Sequence, residues 1–398
     1  MSSNHAEVLI IGAGPAGCAA AIALARADVD VLLIDEHSFP RAKVCGDGLI
    51  PDALQALESL GLKETVLRAS LRLDTIRIFV PNGTYFTFRG ETACLPRSTL
   101  DALLLEEAVS AGARFAPHRR ATDALEEDGR IVGAVLRDST SRHLEKARAP
   151  ITLLATGASL GPLHKFGVLK RRAPSAVAMR AYYKVPDTYA RSVNHLCVAY
   201  DKSISPGYGW IFPGPGGVFN IGVGRFLDSE KPASTTLRSL WQDFVEKFEP
   251  AREIIAIGTV TGALNGAPLR CNMDGALFHR PGLMVLGEAA GLTYSYIGEG
   301  IGKALESGLI AAEAVIHQGG TDGAGEVYET RFRRMYVDRY EAYHSAQRWL
   351  ARPLICNFLA SRARRGDFVT RQLEGMFSES TSAKDLFSFR GLVRSLFG

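Results

Sequence analysis

The run Val8-Leu9-Ile10-Ile11-Gly12-Ala13-Gly14-Pro15-Ala16-Gly17 constrains this chain more than any other feature. Residues 6–12 are almost continuously apolar, as in a strand buried on both faces of a parallel sheet. A GxGxxG turn and a helix of small residues, 16–27, follow directly. Each glycine has a separate task. Gly12 permits the tight turn, Gly14 lets backbone approach a pyrophosphate, and Gly17 lets helix and strand pack closely. Pro15 and Ala16 open the helix, whose first N–H groups then face the phosphates. A second strand, 29–35, ends in Asp35, eighteen residues past Gly17. A carboxylate there accepts hydrogen bonds from an adenosine ribose. A glycine-rich turn alone would explain the glycines, but not the strand, the helix and the acid around them. The spacing predicts a dinucleotide-binding βαβ unit.

Apolar strands recur at 151–157, ending in the turn at Gly157, and at 283–287, with a helix from 300 to 317. Between them the pattern changes. Residues 72–95 and 175–226 alternate β-branched and aromatic residues with turns such as Pro81-Asn82-Gly83 and Gly214-Pro215-Gly216-Gly217, which predicts an antiparallel sheet. Residues 97–112 read as helix. So does the chain beyond 325, broken at Pro353.

Composition excludes several classes. The net charge of +4 accompanies no basic groove-reading motif, so no nucleic-acid partner is expected. The six cysteines form no CxxC pair and the nine histidines no metal spacing, so no metal site is expected. Unpaired thiols in a chain of this size fit a reducing, cytoplasmic setting. No apolar run approaches the ~18 residues that cross a bilayer, and no secretory signal is expected, because the strand pattern begins at once after Glu7.

Two later groups of motifs carry a resemblance. Residues 287–300, GEAAGLTYSYIGEG, resemble the second FAD motif of the p-hydroxybenzoate hydroxylase superfamily. There the acid binds the ribityl chain, and the next helix start approaches the pyrophosphate and the flavin's pyrimidine edge. A helix N-terminus suits the negative charge of a reduced flavin. The segment departs from the pattern at Glu288, where Asp is usual, and at Ser295, where Pro is usual. Phe39-Pro40-Arg41-Ala42-Lys43-Val44-Cys45-Gly46-Asp47-Gly48-Leu49 and Gly207-Tyr208-Gly209-Trp210-Ile211-Phe212-Pro213, the latter followed by Asn220-Ile221-Gly222-Val223-Gly224, are similar to marks of the geranylgeranyl reductase family. The resemblance runs from residue 6 to about residue 317.

The resemblance implies an α/β fold: a Rossmann-type FAD domain with an inserted antiparallel β-sheet substrate domain and a helical C-terminal region. The expected boundaries are 1–71, 96–160 and 275–324 for a discontinuous FAD domain, 72–95 and 161–274 for the substrate domain, and 325–398 for the helices. FAD contacts are expected from Gly12, Gly14, Pro15, Ala16, Gly17, Asp35, Lys43, Cys45, Gly46, Arg97, Gly157, Gly287, Glu288, Gly298, Glu299, Gly300 and Ile301. Arg97 fits a surface helix cap almost as well.

The implied activity is reduction of carbon–carbon double bonds in an isoprenoid or similar long apolar substrate. Tyr208, Trp210 and Phe212 alternate along a strand and project to one face. With Pro213 they would wall such a substrate, although an ordinary sheet core explains them too. Cys45 sits in a loop beside Gly46 and Gly48. A thiol titrating near ~8.5 could deliver a proton at neutral pH; the plainer reading is a buried structural cysteine. Only one dinucleotide fingerprint is present, so NAD(P)H or ferredoxin would donate electrons transiently.

A flavin monooxygenase or halogenase on the same scaffold is the alternative. Thr156 replacing the hydroxylase Asp before Gly157, and the single tryptophan of GWIFP, count against it. A non-catalytic lipid-binding flavin fold is a further alternative. Residues 352–398 hold eight arginines and lysines against four acids, interleaved with apolar residues such as Leu354, Leu359, Phe387, Phe389, Val393 and Leu396. That pattern fits a peripheral contact with an anionic membrane or a helical cap over a core.

Overall fold

A computed structural model describes residues 4–170, 173–205, 207–227, 236–295, 298–319 and 323–397. Three of the four apolar segments become strands Val8–Ile11, Val31–Ile34 and Ile151–Leu154, buried at every residue. They lie parallel, with Val8–Ile11 in the middle. Leu283–Val285 extends the sheet on one side and Arg114–Ala116 on the other, and His279–Arg280 adds an antiparallel edge. Ile11 is opposite both Leu154 and Ile34. Gly12, Ala155 and Asp35 therefore leave the sheet side by side, at the carboxyl edge where open α/β sheets bind ligands. The helix Pro15–Ala25 packs against helix Ile301–His317. It is buried almost all round, as its small apolar residues dictate.

The second sheet has nine strands. Its path runs Thr259–Val260, Ala176–Lys184, Val218–Phe226, Gly207–Gly214, Leu196–Ala199, Leu71–Phe79, Tyr85–Cys94 and Gly48–Leu49, and Asn265–Leu269 also pairs with Ala176–Lys184. It is antiparallel as expected, with one exception: Leu196–Ala199 runs parallel to Leu71–Phe79. A hairpin forces antiparallel pairing, whereas these two strands are joined by a long crossover, which leaves their direction free. A further antiparallel sheet, Arg119–Glu127, Arg130–Asp138 and Leu144–Arg148, was not expected from the sequence.

Beyond residue 323 the chain is helical. Helix Ala324–Leu350 buries a seam of Tyr328, Phe332, Tyr336, Tyr340 and Tyr343, the spacing of one helix face. The Tyr328 hydroxyl donates to the Val285 carbonyl at 2.6 Å and the Tyr340 hydroxyl to the Leu292 carbonyl at 2.8 Å. Buried tyrosines need such partners. Pro353 breaks the helix and opens the next, Pro353–Ala363. Asp367–Phe377, Ala383–Leu386 and Phe389–Phe397 follow.

Candidate active site

A cavity of about 580 Å³ runs from the carboxyl edge of the parallel sheet to one face of the nine-stranded sheet. Its first end is polar. Gly12, Gly14, Pro15 and Ala16 line it. Gly17 does not, because it closes the turn itself: a Cβ there would fall 1.9 Å from the Gly12 carbonyl oxygen. Asp35 is held by backbone N–H groups, Ala13 donating to Oδ2 and His37 to Oδ1, both at 2.9 Å. Oδ1 is also approached by His37 Nδ1 at 3.3 Å, and Oδ2 keeps a further lone pair for a ribose hydroxyl.

Two guanidinium groups close on the Gly14 turn. Arg41 Nη2 and Arg97 Nη2 stand 3.6 and 3.9 Å from where a Gly14 Cβ would be. Arg97 is buried and grips Asp101 with two bonds, 2.7 and 2.9 Å, so the surface-cap reading fails. Arg41 lies 3.4 Å from Asp101, and its buried Nε makes no hydrogen bond. Paired cations, an unpartnered donor and the start of helix Pro15–Ala25, which no side chain caps, fit a pyrophosphate.

The segment 287–300 comes to the same place. Gly287 does not line the cavity; it is buried against Ala16 and Ala304, and its neighbours Leu286 and Glu288 face inward instead. The extra methylene of Glu288 carries its carboxylate across the site. Oε1 accepts from Arg270 N at 3.3 Å, Oε2 stands 3.6 Å from a Gly157 Cβ position, and Lys43 Nζ lies 3.7 Å away. Gly298, Glu299, Gly300 and Ile301 line the cavity at the start of helix Ile301–His317, where Glu299 Oε1 accepts from Gly302 N at 3.0 Å. Burial, reinforced by nearby Asp52, raises the Glu299 carboxyl well above its usual range. Tyr296 and Ile297 of this motif lie outside the described residues.

The Cys45 loop forms the bridge between the two ends. Burial raises the Cys45 thiol, while the nearby Arg97 charge acts in the opposite direction. Its sulfur accepts from Asp47 N at 3.4 Å. The loop is pinned from behind. Trp210 Nε1 donates to Asn220 Oδ1 at 2.9 Å, and Asn220 Nδ2 donates to the Cys45 carbonyl and to Asp47 Oδ2, both at 2.7 Å. Tyr182 donates to the same Asp47 oxygen at 2.5 Å. Gly46 packs under the Phe212 ring, 3.1 Å from where its Cβ would be, so a larger residue would require the ring to give way by a few tenths of an ångström.

Tyr208, Trp210 and Phe212 all face the cavity. Pro213 does not. Successive strand residues alternate faces, and Pro213 pairs with Phe219 on the side packed under helix Leu237–Lys247.

Residues 5–157 match the model of the FAD binding domain family. A menaquinone reductase of Mycolicibacterium smegmatis is 30% identical over 369 residues, 88% of this chain and 84% of the relative. A digeranylgeranylglycerophospholipid reductase of Methanosarcina acetivorans is 30% identical over 341 residues, 82% and 80% of the two chains. The chain belongs to the geranylgeranyl reductase family. It is an FAD-dependent oxidoreductase. A geranylgeranyl bacteriochlorophyll reductase-like protein of Thermoplasma acidophilum shares the fold, with TM-score 0.78 at 20% identity over 99% of this chain and 96% of that one.

In this geranylgeranyl reductase-family chain, several site residues escaped sequence reasoning. Asp47 and Asn220 stand inside the motifs quoted above, but only their contact across 173 positions reveals the brace. Asp101 lies within the predicted helix 97–112 with no motif to mark it; its burial and its contact identify it as the counter-ion of Arg97. The C-terminal helices supply the cavity's far wall through Leu350, Leu359, Leu373, Met376 and Phe377. No local signal marks that role. Those helices also bring Glu379 to Lys303, which is 1% exposed and contacts Asp52, Glu306 and Glu379 at 3.5, 2.7 and 2.8 Å.

Proposed function

We propose that this enzyme saturates carbon–carbon double bonds in an isoprenoid or similar long apolar substrate. The observation that carries the reading is the continuity of one cavity. A polar cradle, the Cys45 loop and an apolar chamber share its walls. The two relatives whose names specify a substrate act on a quinone and on a digeranylgeranyl lipid. A long apolar chain is chemically suited to a chamber walled by Phe86, Phe88, Trp210, Phe212 and Phe377.

FAD, held in the polar cradle, would supply the hydride when bound and reduced. The chain's own residues do the rest. Tyr208, Trp210 and Phe212 hold the alkene flat and exclude water. Burial raises the Cys45 thiol, which supports its role as the proton donor to the second alkene carbon. Arg97 stabilises the thiolate that donation leaves, and solvent then reprotonates it. Asn220 and Asp47 hold the loop at its distance from the chamber. Arg41, Arg97, Asp35 and Glu288 hold the cofactor, together with Lys43 and the turns at Gly14, Gly157 and Gly298–Gly300.

The C-terminal helices extend the reading to a membrane. Leu359, Leu386 and Phe387 are buried, but Leu354 and Phe389 are 84% and 78% exposed, and Val393 and Leu396 stand out beside them in sequence. Phe389, Val393 and Leu396 form one stripe of a helix. Exposed Arg364, Arg365, Arg390 and Arg394 accompany it. No helix among the described residues is long and apolar enough to cross a membrane. Helix Pro353–Ala363, which walls the chamber through Leu359 and exposes Leu354, and the adjoining helix Phe389–Phe397 would rest on an anionic lipid surface, delivering a substrate too apolar to cross water.

The test is anaerobic incubation of chemically reduced enzyme with geranylgeranyl lipids and with menaquinone. The expected product gains two hydrogens per bond, with matching reoxidation of the flavin. Substrate-dependent oxygen uptake with an oxygenated product would overturn the reading in favour of a monooxygenase.

A further inference from the structure

A second hollow, of about 450 Å³, lies beside the cofactor site. It shares the segment Arg41–Lys43 with the main cavity, and no other residue. Its floor includes Ser98 and Thr99, in the first turn of helix Arg97–Ser110. Pro96 at its N-cap offers no side-chain acceptor, Asp47 Oδ1 accepts only from Arg97 N, at 3.2 Å, and no acid occupies the first turn itself. Its remaining wall is Arg180 and Tyr182, alternate residues on one face of strand Ala176–Lys184.

Arg180 makes this more than a helix start. It is 4% exposed, stacks on the Tyr182 ring at 4.1 Å and donates one Nη2 bond to the Lys43 carbonyl at 3.3 Å. Its Nε has no hydrogen-bond partner, and among the described residues no carboxylate lies within ion-pair distance of it. Arg41 is engaged by Asp35 and Asp101, and Lys43 reaches only as far as Glu288, at 3.7 Å. Asp47 feels the charge of Arg180 but is already bound by Tyr182 and Asn220. Three cationic residues and no acidic one line the hollow. An isolated buried cation is costly, and an anion that completes it binds through charge-assisted bonds.

We propose that this hollow docks the phosphate groups of a nicotinamide dinucleotide, the two-electron donor of the flavin. The inference rests on the reductase reading, which requires a donor. One hydride and one solvent proton convert FAD to FADH2, and the dinucleotide leaves oxidised. A lipid phosphate has the same chemistry, but the hollow shares no residue with the apolar end of the cavity. A dinucleotide seated there would instead border the flavin across Arg41–Lys43.

The test uses FAD-loaded protein and calorimetric titration with NADP+ and NAD+, which bind without reacting. Arg180→Gln should weaken the better of the two by about tenfold or more, the usual size of a lost charge-assisted phosphate bond. Thr99→Glu places an acid on an exposed first-turn position, which favours the helix and opposes a phosphate; it should weaken binding comparably. Inorganic pyrophosphate should compete, and glycerol 3-phosphate should not. The flavin spectrum of both variants should match wild type. Unchanged dinucleotide affinity in Thr99→Glu overturns the site. So does tighter binding of glycerol 3-phosphate than of either dinucleotide, which would assign the hollow to a lipid head group. Reduction by ferredoxin with no dinucleotide binding overturns the donor as well. Alkene reduction by dithionite-reduced enzyme reports separately on the reductase reading.

Discussion

The two ends of the cavity are built on opposite principles. The cofactor end holds buried charge: Arg97 with Asp101, Arg41 beside both, and Asp35 on backbone donors. The substrate end holds almost none; Ile76, Phe88, Leu196, Leu359 and Phe377 form its walls. Charges out of water must be matched one to one, so the first end tolerates little change. Dispersion and burial are additive and non-directional, so the second end can be repacked. A site organised this way holds one cofactor rigidly and leaves substrate length to side-chain volume.

Changes at the cofactor end and its bridge should have the largest effects. Cys45→Ser should retain FAD and slow alkene reduction by ~10²–10⁴, the usual worth of a general acid. Stopped-flow oxidation of the reduced enzyme by substrate measures it, and near wild-type turnover would remove Cys45 from the proton path. Asp101→Ala strands Arg97 in the interior. It should cost about 3–5 kcal/mol of stability and most of the bound flavin, read by denaturant unfolding and by absorbance of the purified protein.

A pH experiment sharpens the comparison at the joint, where Asp52, Lys303 and Glu379 fasten the C-terminal helices. Burial raises Asp52 to about 6 from its usual 3.8, opposed by Lys303 and assisted by Glu379. The folded state then holds this proton more tightly than the unfolded chain. The associated stability is full below about pH 4 and lost as pH rises through about 6. Asp52→Asn should therefore match wild type near pH 4 and equal or exceed it at pH 8 in thermal unfolding. A variant less stable at pH 8 and unchanged at pH 4 would reverse the assignment. Glu379 shifts the other way: burial is outweighed by Lys303, Tyr294 and Arg339, and its contribution is lost as pH falls.

Leu373→Trp tests the substrate end. It should leave flavin binding intact and shorten the longest chain reduced by about one prenyl unit, because volume alone sets the limit there. Product analysis across a chain-length series decides it; a uniform loss at all lengths would mean that this wall holds more than apolar bulk. The smallest effect on the fold belongs to the outer surface. Leu354→Asp should change stability by no more than ~0.5 kcal/mol, yet reduce co-sedimentation with anionic vesicles at low salt. Equal sedimentation of variant and wild type would leave the helices as a cap alone.

The same contrast explains what could be read in advance. The strand, turn and helix at residues 8–25 and the acid at 35 were legible because their geometry is local. A glycine needed for a turn is needed whatever the rest of the chain does. The alternation of Tyr208, Trp210 and Phe212 was legible for the same reason, since strand period alone sends them to one face. The same parity removes Pro213 from that face, a consequence present in the sequence but masked by its place in the motif. The parallel pairing of Leu196–Ala199 with Leu71–Phe79 was not legible, because no turn joins them.

By itself, then, the sequence determined the βαβ unit, the presence of a dinucleotide cofactor and the loop that carries Cys45, each a property of a few adjacent residues and their backbone requirements. Only the tertiary structure decided that Asp101 neutralises Arg97, that Asn220 and Asp47 brace the Cys45 loop, and that helices beyond residue 350 wall the chamber. Those outcomes depend on which distant groups are buried together. Desolvation makes an unpaired charge or an exposed apolar face too costly to leave unmatched, but it does not say from how far along the chain the partner will come.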